Sequence, residues 1–152
     1  MNIKRPITAT ITVGDQPTEE DLEQLKREGY VAVVNLRNDG EPEQPLSTAE
    51  EGKKVRALGM DYFHYGVGGA PLSEQGVTGV ADFVDQHAQG SQKVLLHCRK
   101  GARAVALLLL QQARANHWSA EETLAKGKAM GLEIEGGLKT MVETYLKEHA
   151  GA

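Results

Sequence analysis

The sequence predicts an α/β domain with a mostly parallel central sheet of about four to five strands, flanked by helices. Three observations carry that prediction. Short apolar, β-rich runs alternate with helical segments along the chain. Most of those segments open on a Ser or Thr followed by acids. The 152 residues fit one ordinary domain, long enough to bury a core without disulfides or metals.

Taken in order, Ile7, Ala9, Ile11 and Val13 alternate with threonines, which predicts a half-buried strand. Gly14, Asp15 and Pro17 break it, and Thr18-Glu-Glu-Asp21 starts a helix that runs to about Glu28 and stops at Gly29. The run YVAVVNL (30–36) predicts a buried strand, and NDGEPEQP (38–45) is turn chemistry throughout. Ser47 to Gly59 fits a second helix, MDYFHYGV (60–67) a strand, and Ser73 caps a third helix ending near Gln89 and Gly90. KVLLH (93–97) is a short buried strand. The segment from Ala102 to about Asn116 is apolar nearly all round at first, which predicts a central, covered helix. Ser119 starts another helix, and Gly136 and Gly137 precede a last one ending near His149. No internal repeat or second domain interrupts 1–152, and the alternation calls for parallel strands with right-handed crossovers.

Composition narrows the functional classes. Apolar residues make up 40% and charged residues 25%, with a net charge of −4. An acidic chain is a poor binder of nucleic acid or of anionic membrane, so an anion-binding role must come from a local site. The one cysteine forms no internal disulfide and excludes multi-cysteine zinc patterns. A reducing cytosol fits a working thiol. The first residues read as no signal peptide, and AVALLLL is too short to span a bilayer. Nothing in the sequence sets an oligomeric state.

The chemistry concentrates in HCRKGAR (97–103). KVLLHC, RKGAR and AVALLLL read as strand, tight loop and helix, and ligands of open α/β sheets bind beyond the carboxyl ends of strands. Cys98 sits at such an end. The unpaired N–H groups and positive dipole end of a helix N-terminus attract anions. Gly101 permits the sharp turn, and Arg103 offers a planar fork of donors to a tetrahedral oxyanion. The same surroundings favour thiolate, with His97 fixing the loop by a ring hydrogen bond. Attack on phosphorus would give a phosphocysteine intermediate. Set against this, a lone cysteine is more often a small buried hydrophobe. Arg99 and Lys100 are equally readable as solvated charges, and Arg37 as a partner of Glu41 or as a residue reaching the site.

At these residues the chain resembles the cysteine-dependent phosphatases of the tyrosine and dual-specificity type, and most closely a bacterial beta-lactamase hydrolase-like phosphatase family. The likeness runs through GDQPTEEDLEQLKREGYVAVVNLR, the NDGEPE turn, ALGMDYFHYGV and LLHCRKGARA. It implies a protein-tyrosine-phosphatase-like fold and Cys98 as nucleophile. It implies Arg103 as the phosphate-binding arginine, a cradle from the amides of Arg99, Lys100, Gly101, Ala102 and Arg103, and His97 as tuner of the thiolate. The implied substrate is a phosphorylated small molecule or a phosphoprotein, with no metal or organic cofactor.

Three departures from the wider phosphatase pattern stand out. Four residues, not five, separate Cys98 from Arg103, a spacing the bacterial family tolerates. Ala104 stands where a Ser or Thr usually helps the cysteine leave. The segment GVGGAPLSEQG carries no aspartate for a general acid. Glu74 is its only carboxylate and the candidate acid, although an acid in a first helical turn serves the dipole anyway. Asp61 is a weaker candidate, and Phe63, Tyr65 and Tyr62 are candidate substrate walls, with a packing role expected for at least one of them. Two rivals remain. C-R-x-G-x-R is also the active loop of single-domain rhodaneses, which carry a persulfide on the cysteine. A non-catalytic phosphate-binding module would explain Ala104 and the absent acid.

Overall fold

The computed structural model describes residues 1–149, so the last three residues of the expected 1–152 domain lie outside the described residues. The elements run β1 (Lys4–Pro6), β2 (Ile11–Gly14), α1 (Glu19–Arg27), β3 (Tyr30–Asn35), α2 (Thr48–Ala57) and β4 (Asp61–His64). They continue with α3 (Glu74–His87), β5 (Lys93–His97), α4 (Ala102–Asn116), α5 (Ala120–Ala129) and α6 (Gly136–His149). The sheet order is β1-β2-β5-β3-β4. β2, β5, β3 and β4 are parallel, and β1 closes one edge antiparallel to β2.

Caps written in the sequence start four of the helices. Thr18, Ser47 and Ser119 form reciprocal capping boxes with Asp21, Glu50 and Glu122, and the Ser73 hydroxyl accepts from the Gly76 amide. The period-2 alternation of the strands sorts the core into two layers. Val94 and Leu96 of β5, with Ala32 and Val34 of β3, pack under α3, α4 and α6. Leu95 and Val33 face the other way, against Leu22 and Leu25 of α1 and Val55 of α2. Leu107 to Leu110 are all buried, as a central helix requires. Leu108→Ala should therefore cost about 3 kcal/mol in urea unfolding, the usual price of a core cavity; a loss below about 1 kcal/mol would contradict its central position.

Two differences from the sequence reading have local causes. The first strand covers 11–14 and not 7–13, because the Thr8 hydroxyl accepts from the amides of Thr10 and Ile11 and turns the chain there. The chain before that turn supplies β1, whose Pro6 is tolerated on an edge. The regular part of β4 ends at His64, although the Tyr65 and Val67 amides still donate to the carbonyls of Asn35 and Leu36.

The aromatic side chains of the β4 segment are packing residues, which corrects their reading as substrate walls. A Cβ on Gly76 would lie 2.3 Å from the Tyr65 ring, one on Gly79 would lie 2.7 Å from Phe63, and one on Gly52 would lie 2.9 Å from Tyr62. Each ring thus rests on a helix backbone that only glycine leaves open. Both tyrosine hydroxyls are also engaged: Tyr65 accepts from the Ser73 amide, and Tyr62 donates to the Thr48 carbonyl.

Candidate active site

β5 lies between β2 and β3. The chain leaves β2 and β3 toward α1 and α2 on one face, but leaves β5 toward α4 on the other. Diverging connections open a crevice at the carboxyl ends of the strands, the usual ligand position in such sheets. Cys98 is the first residue beyond β5 and occupies that crevice.

The loop after Cys98 turns through Gly101, whose φ of 98° suits glycine and few other residues. The Gly101 amide donates to Cys98 Sγ at 3.1 Å. Helix α4 starts at the next residue with no side-chain cap and no acid in its first turn. Its first amides are therefore left for another acceptor, and the Cys98 thiol just before the turn is 1% exposed. Lys100 and Ala102 are exposed and contribute backbone to the turn. Arg99 Nη2 donates to Glu43 Oε1 at 2.7 Å. Ala104 is fully buried among core residues.

Arg103 is fixed opposite the thiol. Its Nη1 donates to Glu41 Oε2 at 2.8 Å and to the Val67 carbonyl at 2.9 Å, and its Nη2 donates to Glu41 Oε1 at 2.7 Å. Its Nε takes no part in the Glu41 and Val67 bonds, so the Nε–Nη2 edge has donors to spare. The Glu41 carboxylate raises the Arg103 pKa against the opposing effect of burial, and the nearby Cys98 sulfur adds to the rise.

The Glu41 carboxyl is pushed down to about 2, first by the Arg103 guanidinium, then by the Asn38 amide and Arg37. Its contribution to stability is complete above its ordinary value of 4.5 and is lost as pH falls toward about 2. Thermal melts should therefore show wild type more stable than Glu41→Gln at neutral pH, with the gap closing across that acid range. A gap independent of pH would contradict the Glu41–Arg103 pairing.

Several residues resolve differently from, or more fully than, the sequence expectation. Arg37 is completely buried, with Nε 3.0 Å from Glu41 Oε1, so it pairs with Glu41 and reaches the site only through it. His97 is buried, with Nε2 2.6 Å from Glu51 Oε2, and Glu51 is equally buried. The Glu51 contact was absent from the sequence reading. One signal for it exists: Thr48, Glu51, Gly52 and Val55 form the buried i, i+3, i+4, i+7 stripe of α2, and Glu51 is the acid on that stripe.

Glu74, the candidate general acid, is not brought to the Cys98 loop. Its side chain is 73% exposed and lies 4.0 Å from His149. It faces a groove lined by Leu110, Ala113, Arg114, Trp118 and Tyr145. Leu110 is eight residues along α4 from Ala102, about 12 Å at the helical rise. The dipole-favoured helix start is the role the structure leaves it. Asp61 is the first residue of β4, at the opposite end of the strand from the site, and bonds His87 Nε2 at 2.7 Å.

An uncapped helix N-terminus behind a buried thiol, with an arginine fork opposite, on this strand order, defines a phosphatase-like domain of protein-tyrosine-phosphatase fold. The family model described as "Beta-lactamase hydrolase-like protein, phosphatase-like domain" matches residues 4–115, and the chain belongs to that family. A beta-lactamase hydrolase-like protein of Xylella fastidiosa (strain Temecula1) is 30% identical over 145 residues, covering 95% of this chain and 32% of the relative. One of Agrobacterium fabrum is 30% identical over 129 residues, covering 84% and 29%. The chain thus spans about a third of the length of the curated relatives it matches. Among solved structures, Tk-PTP in its active form superposes with a TM-score of 0.74 at 19% identity, covering 96% of this chain and 97% of that one. PTPMT1 superposes with a TM-score of 0.72 at 17% identity, covering 95% and 94%. These likenesses support the phosphatase side of the two cysteine-loop readings, not the sulfurtransferase.

Proposed function

We propose that the domain is a cysteine-dependent phosphomonoester hydrolase acting through a phosphocysteine on Cys98. The observation that carries this reading is the Cys98 thiol held 3.1 Å from the Gly101 amide before an uncapped helix, with the Arg103 guanidinium close by. The amides of Arg99 to Arg103 and the Arg103 Nε–Nη2 edge take the nonbridging phosphoryl oxygens. The Cys98 thiolate forms the S–P bond, and the leaving oxygen departs with the P–O electron pair. Water then attacks phosphorus, giving inorganic phosphate and restoring the thiol. A working thiol calls for a reducing compartment.

The acids beside the loop do not supply a leaving-group proton. Glu41 is held ionised by Arg103, and the Glu43 carboxyl is lowered by Arg99. A group that stays ionised at neutral pH is a poor general acid. The leaving group must carry its own charge, so aryl phosphates are the preferred substrates. Across phosphomonoesters of rising leaving-group pKa, kcat/KM should fall steeply, with alkyl esters slower than p-nitrophenyl phosphate by about 10²-fold or more, the usual worth of a missing general acid. A flat series would show that an acid is present. Ala104 favours a second reading, a phosphate-binding module without turnover. It predicts saturable phosphate binding with no burst of nitrophenol, and a burst would remove it.

A further inference from the structure

Gln16 and Glu51 have no part in the chemistry just described, yet both are tied to it. Glu51 is a fully buried carboxylate whose two oxygens are both used. Oε2 meets His97 Nε2 at 2.6 Å, and Oε1 accepts from Gln16 Nε2 at 2.8 Å. Gln16 Oε1 in turn accepts from Arg37 Nη1 at 2.8 Å. Arg37 Nε donates to Glu41 Oε1 at 3.0 Å, and Glu41 grips Arg103 through both oxygens. The Arg37 guanidinium also donates to the carbonyls of Pro42 and Glu43, which fixes the turn that carries Glu41. The residue before the nucleophile and the anion-binding arginine after it are thus the two ends of one chain: His97, Glu51, Gln16, Arg37, Glu41, Arg103. Its middle runs through α2 and the loops that follow β2 and β3.

We propose that Glu51 is a positioning residue for anion binding, acting on Arg103 at a distance through Gln16, Arg37 and Glu41. The assignment rests on the reading of the Cys98 loop as a phosphate site. Burial is the physical reason such a chain acts as a unit. Glu51, Gln16, Arg37 and Glu41 each hydrogen-bond the next member through buried or half-buried groups, and a buried group deprived of its partner must move to find another. Gln at position 51 keeps the volume but removes the charge and leaves one acceptor oxygen where two were used, so the contacts to His97 and Gln16 cannot both stay as they are. Gln16 Oε1 then turns from Arg37. Arg37 and Glu41 shift with it, and the Arg103 fork leaves its alignment.

The test uses the single cysteine as reporter. Iodoacetamide is expected to alkylate Cys98 as the loop opens, and inorganic phosphate bound there to protect it, so half-protection measures phosphate affinity without any turnover. Wild type, Glu51→Gln, Gln16→Ala, Glu41→Gln and the Glu51→Gln/Glu41→Gln double variant are compared, with thermal melts to confirm folding. Gln16 is only half buried, so Gln16→Ala cuts the same chain if Glu51→Gln fails to fold. Half-protection should need about fivefold more phosphate, or above, in each single variant. The double variant should be no weaker than Glu41→Gln, because members of one network do not add. Protection within about twofold of wild type in Glu51→Gln or Gln16→Ala, or full additivity in the double variant, overturns the proposal. So does a wild-type thiol that phosphate does not protect. Graded protection without hydrolysis of p-nitrophenyl phosphate by wild type would sustain this inference and remove the phosphatase reading.

Discussion

Arg103→Lys is expected to lower kcat/KM for p-nitrophenyl phosphate by about 10²-fold to 10⁴-fold, the range seen when a preorganised oxyanion donor is lost. The side chain does three things that a lysine does not. It bridges both oxygens of Glu41, it donates to the Val67 carbonyl, and it keeps its Nε–Nη2 edge clear of both contacts. A lysine ammonium retains one positive charge but has no planar fork. The loss should fall on both KM and kcat, because the same two donors hold the ground-state phosphate and the flattened phosphoryl of the transition state. Retention of more than about a tenth of wild-type kcat/KM in Arg103→Lys would show that the amide cradle alone binds the anion.

The largest effect is expected from Cys98→Ser, with hydrolysis reduced by about 10³-fold or more. Serine fills the same buried space and preserves the hydrogen bond from the Gly101 amide, so folding and phosphate binding should survive. What disappears is the nucleophile, since a hydroxyl without an adjacent base remains protonated. Phosphate binding by isothermal titration, retained in Cys98→Ser while turnover is lost, separates the chemical role from a structural one. If phosphate binding is lost as well, Cys98 is acting as a buried packing residue of the loop.

Much of this site was legible in the sequence because its parts are contiguous. The strand, the thiol, the glycine turn and the arginine follow one another within residues 93–103, and local rules suffice for a strand–loop–helix. The helix starts were legible for the same reason, through Ser or Thr followed by an acid three residues on. What the sequence concealed is what packing across the sheet creates. Glu50 and Glu51 are neighbours in one first helical turn. Glu50 closes the capping box with Ser47, while Glu51 is buried against His97, 46 residues away. No local rule separates them; the buried stripe of α2 does. Glu41 lies in a turn that reads as solvent-exposed, and its hold on Arg103 depends on β3 and β5 being adjacent. Glu74 shows the converse: its place in the chain suits the acid's role, but the packing of α3 against α4 directs it to another groove. The threonines at 8 and 10 misled the first strand because their alternation with apolar residues matches a strand, while the Thr8 hydroxyl makes a turn.

The measurement that tests the central claim most directly is rapid-quench hydrolysis of p-nitrophenyl phosphate by wild type beside Cys98→Ser, with the quenched protein analysed by mass spectrometry. The account predicts a burst of nitrophenol stoichiometric with enzyme, covalent phosphate on the peptide that holds Cys98, and neither signal in Cys98→Ser. Turnover by wild type with no phosphate on that peptide, or equal turnover by Cys98→Ser, would contradict it.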